Sequence, residues 1–249
     1  MKNLLKFEFR KLRSQKIFFI SLAVIFVTCL LSALSSKFLL AMFGTDAPSS
    51  FSTAEQVMYS ATGLTFNLVC IIIVAVVVCR DYEWSIVKNV YARGYRRESF
   101  YLSKFVYTGA LVTAVFLSSI LFTALVYGAL FSFEWVGGKG VLLLLIQYLS
   151  LMAGFSFYYA IASTTKRLGA TIAISIFAPS IISLVLGALT FAFKIENFSL
   201  ASYWFSAFID DLTEFEVTAK RMIECAVCSV AYIALFTVGG VFINRNTEV

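Results

Sequence analysis

Residues 141–193 read VLLLLIQYLSLMAGFSFYYAIASTT, then KR, then LGATIAISIFAPSIISLVLGALTFAF. Two apolar runs, Val141–Thr165 and Leu168–Phe193, are parted only by Lys166 and Arg167. A bilayer core about 30 Å thick is crossed by roughly 20 apolar residues in a helix, so either run alone is long enough. One helix through all 53 residues would overshoot that thickness more than twofold, which favours two helices and a tight turn at the basic pair. Strict two-residue alternation is absent, which argues against a β-barrel.

Outward from this pair, three more runs are long, apolar and free of Asp, Glu, Lys and Arg: Ile17–Ser36, Val57–Cys79 and Phe105–Phe133. A sixth covers 222–243, with Cys225–Ile243 as its charge-free part. The whole chain of 249 residues is 60% hydrophobic and 14% charged, with a mean hydropathy of +0.89. Soluble domains carry about a quarter charged residues, so lipid must be the outer solvent. No single stretch outside the six runs reaches the roughly 50 residues that a separate soluble domain needs. The expected fold is an all-α membrane protein, a single membrane domain over 1–249 with six transmembrane helices.

Short-loop basic residues set orientation. With the N-terminus inside, fifteen of the twenty Lys and Arg fall on the cytoplasmic side, in 1–16, in 80–104, at Lys166 and Arg167 and at Arg245. Both termini are therefore expected in the cytoplasm. The first run follows a basic leader, as in a signal peptide, but it exceeds the usual apolar stretch of about 7–15 residues, so a retained span is expected. The net charge of +6 comes from residues flanking apolar runs, not from a basic face, so no nucleic-acid partner is expected.

Catalytic chemistry is sparse. The chain has no histidine, which removes the usual general base and the commonest metal ligand. Cys225 and Cys228 form a CxxC without a second pair, a poor zinc site, and read as small packing residues. Gly154-Phe155-Ser156-Phe157 offers a serine without a base to activate it. The segment Trp135–Gly140 contains Gly-Lys but lacks the first glycine and the final Ser or Thr of a phosphate loop. No Asp, Glu, Lys, Arg or His lies within the charge-free parts of the runs, which argues against ion coupling, and no polar stripe of useful length marks a passive channel. The chain is expected to be no enzyme and to hold no cofactor or metal.

Three connections carry more information. In Met1–Lys16, Leu5, Phe9 and Leu12 repeat at helical spacing among Arg10, Lys11 and Arg13, either an interfacial amphipathic helix or an orientation signal alone. In Arg80–Lys104, Asp81, Glu83 and Trp84 precede a stripe of Ile86, Val87, Val90 and Tyr91 with Lys88 on the other side. Gly94 suits a helix stop, and Arg96, Arg97 and Lys104 follow as inner-surface cations. This is either a docking helix for a cytosolic partner or a membrane-surface segment. The outer connection places Leu200, Tyr203, Trp204, Phe208, Leu212 and Phe215 at roughly helical spacing near Asp210, Asp211 and Glu214. It fits an aromatic anchor in the headgroup layer, or an outer gate whose acids attract a cationic substrate. Pro179, mid-way along the fifth run, should kink it, as a hinge or as a fixed packing feature.

Lys6-Phe7-Glu8-Phe9-Arg10-Lys11, then Ile86-Val87-Lys88-Asn89 and Gly94-Tyr95-Arg96-Arg97-Glu98-Ser99-Phe100-Tyr101-Leu102-Ser103-Lys104, together resemble ABC-2 type transporter permeases. The resemblance is to the short bacterial type that exports antimicrobial peptides, lantibiotics or toxins. Many members have Gly-Thr where this chain has Trp84-Ser85. The resemblance implies a half-transporter in the bacterial plasma membrane, with a second permease copy and a separate ATPase subunit that binds ATP and Mg. It implies that 1–16 is an elbow helix, that 81–92 is the coupling helix to the ATPase, and that the outer segment closes the exit. Uncharged aromatic and Leu-rich spans suit an amphipathic or lipid-like substrate. The competing expectation is a non-transporting anchor or immunity protein that binds a peptide at the membrane surface.

Overall fold

The computed structural model describes residues 2–12, 16–43, 53–131, 137–193, 199–212 and 217–246. Among the described residues the fold is all-helical: α1 (Lys2–Leu12), α2 (Lys16–Phe43), α3 (Thr53–Thr62), α4 (Leu64–Glu83), α5 (Ile86–Ala92), α6 (Arg97–Leu130), α7 (Gly137–Thr165), α8 (Leu168–Ala192), a 3-10 turn (Leu200–Tyr203), α9 (Phe205–Asp211) and α10 (Ala219–Asn246). Six segments are long and apolar enough to cross a membrane: α2, α3 with α4, α6, α7, α8 and α10.

α4 and α7 form the centre of the bundle. On α4 the run Ile73, Val74, Ala75, Val77, Val78 and Cys79 is buried almost all round, as a helix enclosed on all sides must be. α7 packs along α10 and α4, with its buried positions from Gly140 to Ser163. By contrast α8 keeps only Thr171, Ser175 and Pro179 buried and shows Phe177, Ile181, Leu184 and Val185 outward. Lipid tails solvate such side chains as well as a protein core does, so exposure of this kind carries no penalty in a bilayer.

Two helices depart from the expected runs. The second is broken at Gly63, whose amide still donates to the Tyr59 carbonyl at 2.8 Å but whose extended ψ of 163° separates α3 from α4. The third is longer than a span needs. At 34 residues α6 is about 51 Å long, and its first two turns, from Arg97, lie before the apolar run. α8 continues through Pro179 without interruption.

Candidate functional site

The end of the bundle where α1, α4, α5 and α6 meet gathers charges that the sequence reading had placed on the surface. Lys104 is buried (1% exposed) and forms an ion pair with Asp81 of α4, which is also buried. It reaches Glu8 of α1 as well, at 3.5 Å, with Glu8 only 2% exposed. Lys104 is therefore no inner-surface cation. An isolated buried ammonium is costly, and its position requires the two carboxylates beside it. Asp81 and Lys104 lie just outside the apolar runs, on helices that continue past them, so the runs themselves stay free of Asp, Glu, Lys and Arg.

The buried face of α1 is also different from the expected one. Leu4 and Glu8, one turn apart, face the protein, while Phe7 and Phe9 are exposed as lipid-facing side chains would be. Arg10 is exposed; the Lys11 side chain and all of Arg13 lie outside the described residues. Arg96 is exposed and Arg97 half-buried, 5.8 Å over the Tyr91 ring.

α5 is a helix of seven residues preceded by Ser85, whose φ of +57° makes the turn where the resembled family carries Gly-Thr. It ends as Gly94 enters the left-handed region (φ +80°) and returns its amide to the Tyr91 carbonyl at 2.9 Å. The apolar stripe points inward. Val87 is buried with Leu4 and Phe100, and Tyr82, Val90, Tyr91 and Tyr95 pack around them, with Ile86 half-buried. What faces outward is Glu83, Trp84 (61% exposed), Lys88 and Asn89. Arg80 stacks on the Trp84 ring at 4.3 Å. A partner meeting this helix touches tryptophan and charge, not the Ile86 and Val90 stripe.

Lys166 adopts φ +56° in the tight turn between α7 and α8 and lies 5.5 Å from the Tyr82 ring centre. Burial and the nearby Arg97 charge push its ammonium down from the ordinary lysine value.

A second feature sits between α4, α8 and α9. A cavity of about 670 Å³ is lined by Asn67, Tyr158, Ser175, Pro179, Ser180, Ser183 and Ser206 together with Leu64, Leu68, Ile71, Ile176, Leu184 and Ile209. It contains no charged side chain. The Tyr158 hydroxyl donates to Asn67 Oδ1 at 3.0 Å. Ser175 is buried with its Oγ unpartnered. Proline at 179 lacks the amide that would bind the Ser175 carbonyl four residues back, so this carbonyl has no i+4 partner in α8. Thr171, Ser175, Pro179 and Ser183 recur every four residues on one face, a polar stripe that the sequence reading missed because Ala, Ile and Phe separate its members.

The outer segment is not laid flat with its apolar side in lipid. Trp204, Phe205, Phe208 and Leu212 are buried in the bundle, where Trp204 and Phe205 ring Phe157 of α7 at 5.7 and 5.5 Å and Trp204 meets Tyr232 of α10. Gly154 lets Phe205 in: a Cβ there would lie 3.1 Å from the ring. Gln147 Nε2 donates to the Leu212 carbonyl at 2.9 Å. Asp211 is engaged by Arg221, whose Nη2 lies 2.7 Å from it and 2.5 Å from the Ser202 carbonyl. Its charge is offset, which weakens the idea of an acid that draws in cations. The Asp210 side chain and all of Glu214 and Phe215 lie outside the described residues. Ser156 gives its hydroxyl to the Met152 carbonyl (2.6 Å), a packing role, and Cys225 and Cys228 are both free thiols.

No curated protein matches the chain. The family model for ABC-2 family transporter proteins matches residues 4–190, well over half of the length and all of the elements from α1 to most of α8. The chain therefore belongs to the ABC-2 transporter family, as a multi-pass membrane permease component of an ABC transporter.

Proposed function

We propose that this permease exports an amphipathic substrate, of the peptide, toxin or lipid-like kind, across the bacterial plasma membrane with both termini in the cytoplasm. The energy comes from a separate ATPase that binds ATP and Mg and docks on α5. The observation that carries the reading is the α5 arrangement: a short helix fixed on its apolar side by Val87, Leu4 and Phe100, with Trp84, Lys88 and Asn89 left facing outward. Aromatic and charged side chains on a rigid element are what a protein groove recognises. The uncharged cavity with its orphan Ser175 hydroxyl supports the substrate side, since it offers hydrogen bonds within an apolar wall. The sparsely covered α8 supports a second permease copy, which would close that wall into a pathway.

The test is purification of the tagged protein in mild detergent from its native cells, parent beside Trp84→Asp with Lys88→Glu. The reading predicts an ATP-hydrolysing protein with the parent and its loss in the double variant. A folded, abundant parent that retains no ATP-binding protein would contradict it.

A further inference from the structure

We propose that the last turn of α4, Asp81-Tyr82-Glu83, is the positioning joint through which movement of α5 reaches the rest of the bundle, with Glu83 as the handle on α8. The proposal rests on the docking of an ATPase at α5.

Successive residues of a helix point about 100° apart, so three in a row can hold three separate neighbours. Asp81 holds Lys104 of α6, and through it Glu8 of α1. The Tyr82 hydroxyl donates to Asn244 Oδ1 of α10 at 3.5 Å, and its ring carries Lys166 from the α7–α8 turn. Glu83 Oε1 accepts the amide of Leu168, the first residue of α8, at 2.9 Å. α6, α8 and α10, with α1 and the α7–α8 turn, are thus tied to one turn, and Trp84 and Ser85 lead from it directly into α5.

The Glu83 bond has the greatest leverage. A carboxylate at a helix N-terminus meets both the unpaired amides and the positive end of the helix dipole. The helix it grips is the one least embedded in the bundle and the one that carries Ser175 and Ser183 into the cavity. A push on α5 that turns the end of α4 therefore moves α8, the loosest wall, before it moves the closely packed α7. A simple stabilising cap would hold α8 in place without making its position depend on nucleotide.

The two roles separate in the native complex carrying Ser183→Cys and Cys228→Ser; the remaining cysteines, 29, 70, 79 and 225, are buried. Maleimide labelling of position 183 is timed with and without ATP plus vanadate. Nucleotide should change the rate by about fivefold or more in the parent and in Glu83→Gln, which keeps an acceptor oxygen, and by less than about twofold in Glu83→Ala. The ATPase should still co-purify with Glu83→Ala, because the Glu83 carboxylate is turned to the Leu168 amide; loss of the ATPase from that variant would instead make Glu83 part of the docking surface and overturn the joint. If Glu83→Ala responds to nucleotide like the parent while the ATPase is bound and active, the joint is wrong and the docking reading stands. If no ATPase accompanies the parent, the docking reading fails and the joint with it.

Discussion

Lys104 is the residue whose environment departs furthest from its sequence context. It follows Arg96 and Arg97 in a basic loop, yet it is enclosed by Asp81 and Glu8 at the meeting point of three helices. Removing one member of a buried ion pair leaves its partner charged and dry. Lys104→Met should cost about 3–5 kcal/mol of stability, read by thermal unfolding in detergent, whereas Lys104→Met with Asp81→Asn and Glu8→Gln should cost much less than the sum of the single changes. Additive losses would mean the three do not act as one cluster. A second prediction concerns Gly240 of α10, whose Cβ, if present, would overlap the Tyr101 hydroxyl. Gly240→Ala should destabilise by about 1–3 kcal/mol through overpacking, while Gly239→Ala, with open space beside it, should be neutral in the same assay. The sequence could hint at Lys104 only through a lysine opening one apolar run and an aspartate closing the run before it. Nothing local says that the two turn inward together, because that depends on α6 extending two turns beyond its apolar part.

At the scale of elements, the apolar runs and the turn at Lys166 and Arg167 were legible because length and hydropathy alone decide them. So was a short helix stopping at Gly94, although it begins at Ile86 and not at Asp81: Asp81, Tyr82 and Glu83 are the last turn of α4, and the left-handed Ser85 breaks the helix there. The direction of the α5 stripe was not. An amphipathic segment of seven residues looks the same whether its apolar side meets a partner, a membrane or its own protein, and only the packing with Leu4 and Phe100 distinguishes these. The break at Gly63 and the Thr171–Ser183 stripe escaped for a related reason: both are interruptions within strongly apolar sequence, where average hydropathy hides single residues. The outer segment followed its expected helical spacing but turned its aromatics into the bundle. Phe208→Ala should accordingly loosen α9 from α7 and α10. Because unfolding within a bilayer leaves the ring in an apolar solvent, the cavity term dominates and the cost should fall near or below the low end of about 3–5 kcal/mol. Proteolysis of the outer segment in oriented vesicles measures it, with faster cutting in the variant as the expected result. Unchanged cutting would mean that Phe208 does not anchor this segment.

For the whole molecule, the arrangement is a rigid centre of α4 and α7, a loosely held α8 with an uncharged cavity behind it, and a charged junction beneath. Such a body can be moved from one end only if that end is gripped from outside, and α5 is the grip that the proposed function assigns. The most direct measurement is site-specific photo-crosslinking in native cells, with the photoreactive residue at Lys88 and, as references, at buried Val87 and at outward Leu184 of α8. An ATP-binding protein captured from position 88 and from neither reference is the predicted result. Capture of lipid alone from position 88, in folded protein, would contradict the account and leave α5 a membrane-surface segment.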